Sequence, residues 1–304
     1  MSDRTRTSSS VAADTDAGAR AATGAAAADR GPGRVALEIA VTSLGGARTA
    51  LAEGADRVEL CTALEIGGVT PSQGLAEAVV ATGVPVHALV RARGGDFVYD
   101  DADLAVMEGE VRTLVATGVA GVVVGALRAD GSLDVDAVAR LVSAARDAAS
   151  ARPAELGGSR LELTVHRAVD RAASPVDAVA ALASLGVDRV LTSGGASRAR
   201  DGLTSGVLPD MVAAAGGVEV MAGGGVRLDD VAALVAAGVA AVHLSASAAA
   251  ATSTTGDGDG SGPSLVSFGS AGATDSYAVT DASLVRAARA ALDAATRTLA
   301  PRAR

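Results

Sequence analysis

Glu53-Gly54-Ala55-Asp56-Arg57-Val58-Glu59-Leu60 carries the signal that decides the fold. A helical stretch stops, glycine takes the left-handed cap, and a short strand-forming run begins. The phrase returns as Thr117-Gly118-Val119-Ala120-Gly121-Val122-Val123-Val124, as Leu185-Gly186-Val187-Asp188-Arg189-Val190-Leu191-Thr192, and as Ala237-Gly238-Val239-Ala240-Ala241-Val242-His243-Leu244. Counting every such run gives eight strand positions, near 35–40, 56–61, 84–90, 119–125, 161–166, 187–192, 217–222 and 239–245, each followed by a helical pattern. Leu104, Met107, Val111, Leu114 and Val115 share one helical face. Ser174-Pro175-Val176-Asp177 reads as a helix start, with Ser at the N-cap, Pro at the first position and Asp in the first turn. Strands alternating with helices form parallel units with right-handed crossovers. Eight of them predict an α/β fold, a single closed (β/α)8 barrel. A doubly wound open sheet is the alternative, and it would place a ligand at one switch point rather than on a ring of strand ends.

Outward from the repeat, the rest of the 304 residues bounds the chemistry. Residues 1–33 are Ala, Ser, Thr, Asp, Arg and Gly with almost no branched apolar residues, the composition of a disordered tail. Residues 34–304 hold the barrel, interrupted at about 246–276 by a low-complexity insert expected to be a flexible loop. Asp257, Asp259 and Ser261 in the insert have half the spacing of a calcium loop but lack its closing Glu. The net charge is −9 with no basic stripe, which argues against nucleic acid and anionic membranes as partners. The sequence contains no Lys, so lysine Schiff-base chemistry and P-loop phosphate binding are excluded. Cys61 is the only cysteine, which rules out an internal disulfide and a thiolate-held cluster. No charge-free apolar run approaches the ~18 residues of a membrane span, and the chain reads as soluble and cytoplasmic.

In a barrel only the carboxyl ends of the strands open onto a pocket, so charges inside apolar strands mark that rim or are paired. All three histidines, His87, His166 and His243, fall late in strands, and Glu38 and Glu59 sit between apolar neighbours in the first two. Side chains alternate along a strand, so His87, Arg91 and, with continued extension, Arg93 share a face; Glu59 shares one with Cys61, and Thr164 with His166 and Asp170. Arg167, of opposite parity, reads as structural. Two glycine-rich turns, Ser193-Gly194-Gly195 and Gly223-Gly224-Gly225, offer bare backbone N–H groups to an anion. Taken together, Arg91, Arg93 and Asp96 with Ser193, Gly194, Gly223, Gly225, His243 and Ser245 are candidate ligand contacts. Glu38, Glu59, His87, His166 and Asp170 are candidate acid–base groups. The plainer reading of each is a satisfied structural partner, since Glu–Arg pairs knit many barrels.

Several stretches taken as a set resemble the CutC family: Glu59-Leu60-Cys61, Gly67-Gly68-Val69-Thr70-Pro71-Ser72, Val90-Arg91-Ala92-Arg93-Gly94-Gly95-Asp96-Phe97-Val98-Tyr99, His166-Arg167-Ala168-Val169-Asp170, Leu191-Thr192-Ser193-Gly194, Met221-Ala222-Gly223-Gly224-Gly225-Val226 and Val242-His243-Leu244-Ser245. The resemblance spans about 35 to 299. It implies a TIM-type barrel, a cytoplasmic homo-oligomer, and a role in copper homeostasis and copper binding. Copper-binding members often carry a cysteine in the first strand; here that strand reads Leu37-Glu38-Ile39-Ala40-Val41-Thr42, with no thiol. Cu(I) prefers thiolate and thioether ligands. Cys61 would then be the primary ligand, with Met221 and the histidines in support. The second functional class is an enzyme doing acid–base chemistry, of isomerase, epimerase or lyase type, on a small anionic metabolite. A pure interaction scaffold is the third, and it needs no such collection of charged groups at one rim.

Overall fold

The computed structural model describes residues 34–152, 160–250 and 277–299. Eight parallel strands close a barrel in sequence order: β1 (Ala36–Val41), β2 (Arg57–Leu60), β3 (Val86–Leu89), β4 (Gly121–Val124), β5 (Glu162–Val165), β6 (Arg189–Thr192), β7 (Glu219–Ala222) and β8 (Ala241–Leu244). β8 pairs back onto β1, so the open-sheet alternative is out. Around them lie α1 (Leu44–Ala52), α2 (Gln73–Val80), α3 (Asp101–Ala116), α4 (Val135–Ser150), α5 (Pro175–Leu182), α6 (Ala199–Ser205), α7 (Val207–Ala214), α8 (Val231–Ala236) and α9 (Ala282–Leu299). No helix among the described residues is long and apolar enough to cross a membrane.

The local signals act as their chemistry dictates. Gly54, Gly118, Gly186 and Gly238, the repeat glycines, all have positive φ and turn the chain from helix toward strand. The Ser174 hydroxyl accepts from the Asp177 N–H at 3.4 Å with Pro175 at the first position of α5. Leu104, Met107, Val111, Leu114 and Val115 form the buried face of α3.

Strand parity sorts the core. Outward residues such as Leu37, Ile39, Val58, Leu60, Val122, Val124, Leu163, Val165 and Val190 pack with the helices in one large apolar shell. Inward residues are different in kind. Two small apolar clusters, Ala36–Leu191–Met221–Ala241 and Cys61–Leu89–Val123, stand among Glu38, Arg57, Glu59, His87, Thr164, His166 and Arg189, all buried. The barrel interior is thus largely polar, and such groups persist in an interior only when paired.

The insert starts later than its composition predicts. Ser247–Ala250 is a strand, β9, pairing antiparallel with β10 (Tyr277–Thr280). The physical reason is anchoring. Thr280 packs where a side chain on Gly46 of α1 would stand, 2.6 Å from its Cβ position, and the Asp281 N–H donates to the Ala246 carbonyl at 2.8 Å. A ladder fixed at that end supplies the backbone partners that small side chains cannot. The predicted tail 1–33, residues 251–276 and the partial calcium-loop spacing lie outside the described residues.

Candidate functional site

A cavity of about 620 Å³ opens at the carboxyl ends of the strands, where the barrel topology predicts it. Glu59, Arg91, His166, Arg167, Arg227 and His243 supply its ionisable lining, with Phe97, Leu64, Leu89 and Leu191 among the apolar part. Gly224, Gly225, Val226 and Ser245 line it through the last two strand–helix connections.

Its floor is a carboxylate–imidazole–carboxylate series. Register places Glu38 beside both Arg57 and His243, and Ala40 beside Glu59. The Arg57 Nε donates to Glu38 at 2.5 Å, and the His243 Nδ1 lies 2.8 Å from the other Glu38 oxygen. The His243 Nε2 lies 3.8 Å from Glu59. Burial pushes the Glu38 carboxyl up, but Arg57 and His243 outweigh it and hold the group well below the usual carboxylate range. Among the described residues Glu59 has no arginine partner. Burial, reinforced by the Glu38 charge and only partly offset by His243, lifts it to about 7. His243 is raised by the same two carboxylates against its own burial. Glu59 is therefore placed to change its protonation near neutral pH, beside an imidazole whose hold on a proton is raised. This suits a group that must both take and return one.

His87 lies deeper. Its Nδ1 is 3.9 Å from Glu38, its Nε2 is 3.5 Å from Glu162, and it does not line the cavity. Burial and the Arg57 charge depress it to about 3, so it is neutral. Beneath it Arg189 binds Glu162 at 2.9 Å and Glu219 at 2.7 Å. This layer holds the barrel together rather than meeting a ligand.

Asp170 is a structural hub. It accepts from the Thr192 hydroxyl at 2.5 Å, the Ser193 N–H and hydroxyl at 2.9 and 2.8 Å, the Gly195 N–H at 3.0 Å and the Arg167 Nε at 2.8 Å. The Gly194 N–H is taken by the Thr192 hydroxyl at 2.9 Å. The N–H groups of the 193–195 turn thus bind a resident carboxylate and hydroxyl, which leaves none of the three for a ligand. The second glycine turn differs. The Gly223 N–H donates to the Thr192 carbonyl at 2.9 Å. Among the described residues, no acceptor meets the N–H of Gly224, Gly225 or Val226. These three residues line the cavity beside Arg227, which has no carboxylate partner among the described residues.

The two predicted clamp arginines separate. Arg91 lines the cavity, yet its guanidinium already donates to the carbonyls of Ile66 at 3.0 Å, Gly68 at 2.9 Å and Gly95 at 3.1 Å, tying two rim loops together. Arg93 lies outside the lining and binds Asp96 at 2.9 Å and Asp103 at 3.0 Å. Cys61 is fully buried against Leu89 and Val123, and burial followed by the Glu59 and Glu65 charges pushes its thiol up to about 12. The Met221 sulfur accepts from Arg57 at 3.2 Å below the cavity. Parity could have found Arg57 and Arg189, which share a strand face with Glu59 and Leu191. Phe97 and Arg227, on loops, gave no periodic signal.

The CutC family profile matches residues 35–248. A CutC family protein of Sinorhizobium medicae (strain WSM419) is 40% identical over 263 residues, covering 86% of this chain and 97% of its own length. The chain belongs to the CutC family. A CutC family protein of Aliivibrio fischeri (strain MJ11) is 38% identical over 214 residues, 69% of this chain and 81% of that one. Among solved structures, a Streptococcus agalactiae CutC, named provisionally as a copper homeostasis protein, superimposes with a TM-score of 0.59 at 27% identity over 69% of this chain and 98% of its own.

The donors at the site are suited to different metals. Atoms of Glu38, Glu59 and His243 lie within 4.8 Å of one another, a hard carboxylate and imidazole set. Cu(I) wants sulfur, and neither sulfur is offered: Cys61 is a protonated thiol in an apolar wall, and Met221 is engaged by Arg57. These residues do not fit a Cu(I) site of the thiolate kind.

Proposed function

We propose that this CutC protein is an acid–base enzyme acting on a small anionic metabolite, with Glu59 as the group that takes and returns the proton. The observation that carries the reading is the placement of Glu59 on the cavity floor, paired with His243, which Glu38 in turn orients. A carboxyl near 7 is poised for proton transfer at cellular pH. The N–H groups of Gly224, Gly225 and Val226 with Arg227 supply the anion handle, and Arg91 holds the loops that shape the mouth. The family resemblance adds a cytoplasmic, homo-oligomeric setting.

The test is proton exchange. The protein is incubated in D2O with a panel of phosphorylated and carboxylated metabolites, and loss of C–H signals is followed by proton NMR. At least one compound should exchange, and Glu59→Gln should slow it by about 100-fold or more, the usual worth of a positioned base. The parent rate should rise with pH through about 7 as Glu59 ionises. Full-rate exchange in Glu59→Gln, or no exchange across the panel, would refute the assignment.

Copper homeostasis, the role in the Streptococcus protein's name, is the second reading, and the Glu38–Glu59–His243 grouping favours it. With such donors the ion would be divalent. Cu(II) titration against a competing chelator, on parent and Glu59→Gln, separates the two. Tight stoichiometric binding lost in the variant would put copper first, and no competitive binding by the parent would retire it.

A further inference from the structure

One buried donor at the rim has no role so far. The His166 Nδ1 accepts the Ala168 N–H at 3.2 Å, so in the neutral ring the proton sits on Nε2. That Nε2 is buried and has no hydrogen-bond partner among the described residues, although the side chain lines the cavity. An unpaired buried donor is costly, and such a group is kept where a ligand meets it. The ring is closely enclosed. Phe97 packs against it with centroids 4.9 Å apart. Gly125 also borders it closely, since a Cβ there would stand 2.5 Å from the His166 Cε1. Arg91 also lines the cavity, lies over the same Phe97 ring at 4.9 Å, and likewise has an unpartnered buried Nε.

We propose that His166 is the electrophilic residue of the cavity: its Nε2–H, with the Arg91 guanidinium beside it, receives the carbonyl oxygen of a substrate whose adjacent carbon gives its proton to Glu59. The inference rests on the acid–base reading and narrows it. The substrate class becomes a ketone, aldehyde or 2-oxo acid with an anionic group at its other end. The step balances without a co-reactant. The C–H bond breaks, the proton goes to a Glu59 oxygen, the electron pair forms the carbon–carbon double bond, and the negative charge lands on the oxygen facing His166. Return of the proton from Glu59 to the same carbon, on the face the enolate presents after turning in the cavity, re-forms the carbonyl and completes an epimerisation. Burial and the Arg91 charge depress His166 to about 3, which keeps it a neutral donor at working pH. A ring donor packed against Phe97 and Gly125 and a carboxylate beside His243, both lining the cavity, divide the two roles by place. A donor locked by packing before substrate arrives needs no reorganisation in the transition state.

The experiment uses the full chain with 15N-labelled histidine, whose three side chains are assigned with single His→Gln variants. The probes are oxalate, a planar mimic of an enolate, and inorganic phosphate for the Gly224–Val226 turn. His166 should show the Nε2–H tautomer from pH 5 to 8, and oxalate should shift that resonance. His166→Phe, which keeps the stack on Phe97, should weaken oxalate about ten- to a hundredfold, the worth of a hydrogen bond to a charged oxygen, and leave phosphate affinity unchanged. His166→Gln, which restores a donor, should recover part of the loss. If His166→Phe binds oxalate as the parent does, or if His166 titrates near its ordinary value, the inference is overturned while the acid–base reading stands. If the parent binds neither oxalate nor phosphate, both fall together.

Discussion

Replacing Arg57 with Met should cost this protein more stability than almost any other single change, and the reason lies in Glu38. Both side chains are 1% exposed, and the guanidinium donates to the carboxylate at 2.5 Å. Arg57→Met leaves a buried anion with His243 as its remaining close partner and His87 at 3.9 Å. Removing one member of a buried pair costs about 3–5 kcal/mol, because the other charge is stranded. For a domain of this size that is a fall of roughly 6–20 °C in Tm. The assay is reversible urea unfolding followed by circular dichroism, repeated from pH 4 to pH 8. In the parent, Glu38 sits below its unfolded value; its stabilising contribution is complete above that value and is lost only as pH falls through the folded one. In Arg57→Met, burial acts without its main opponent, and the carboxyl moves above its unfolded value. The variant then loses stability as pH rises from about 4.3, so its deficit widens toward pH 8 and shrinks in acid. The double variant Arg57→Met/Glu38→Gln, with no stranded charge, should recover at least half of the loss. A single-variant loss below about 1 kcal/mol, a deficit that ignores pH, or a double variant no better than the single would refute the reasoning.

Two other outcomes follow from the geometry. Asp170→Ala strips the acceptor from the Thr192 hydroxyl and the Ser193 and Gly195 N–H groups, which should destabilise the protein by about 3 kcal/mol or more and loosen the 193–196 turn, read as faster amide exchange there; unchanged exchange would show that the turn stands without its hub. Cys61, buried with its thiol lifted to about 12, should react with a disulfide reagent at pH 8 at least about a thousandfold more slowly in the native protein than in urea, and comparable rates would mean the thiol is not enclosed as described.

Eight strands, the capping glycines and the shared faces of the second, third and fifth strands were legible in the sequence. Each is set within a few residues, by a helix stop, a β-branched run and the two-residue alternation of side chains. Charge inside apolar strands marked Glu38, Glu59, His166 and His243 as rim candidates without separating their roles. That separation came from closure of the barrel. β8 meeting β1 brings His243 to Glu38 across 205 residues of chain, and His87, registered beside Glu59, meets Glu38 and Glu162 instead of lining the cavity. Asp170 showed the parity of a rim group, but the chain turns at His166 into a short helical turn that carries it onto the 192–195 loop. Arg93 departs in the same way, because β3 ends at Leu89 and the loop beyond follows its own hydrogen bonds. The sequence thus determined which residues form the barrel and which of its strand side chains share a face, since both are local matters of backbone geometry. Only the tertiary structure decided which carboxylate keeps its proton, which imidazole is neutral and which N–H groups stay open to a ligand, because burial and pairing depend on neighbours that lie far apart along the chain.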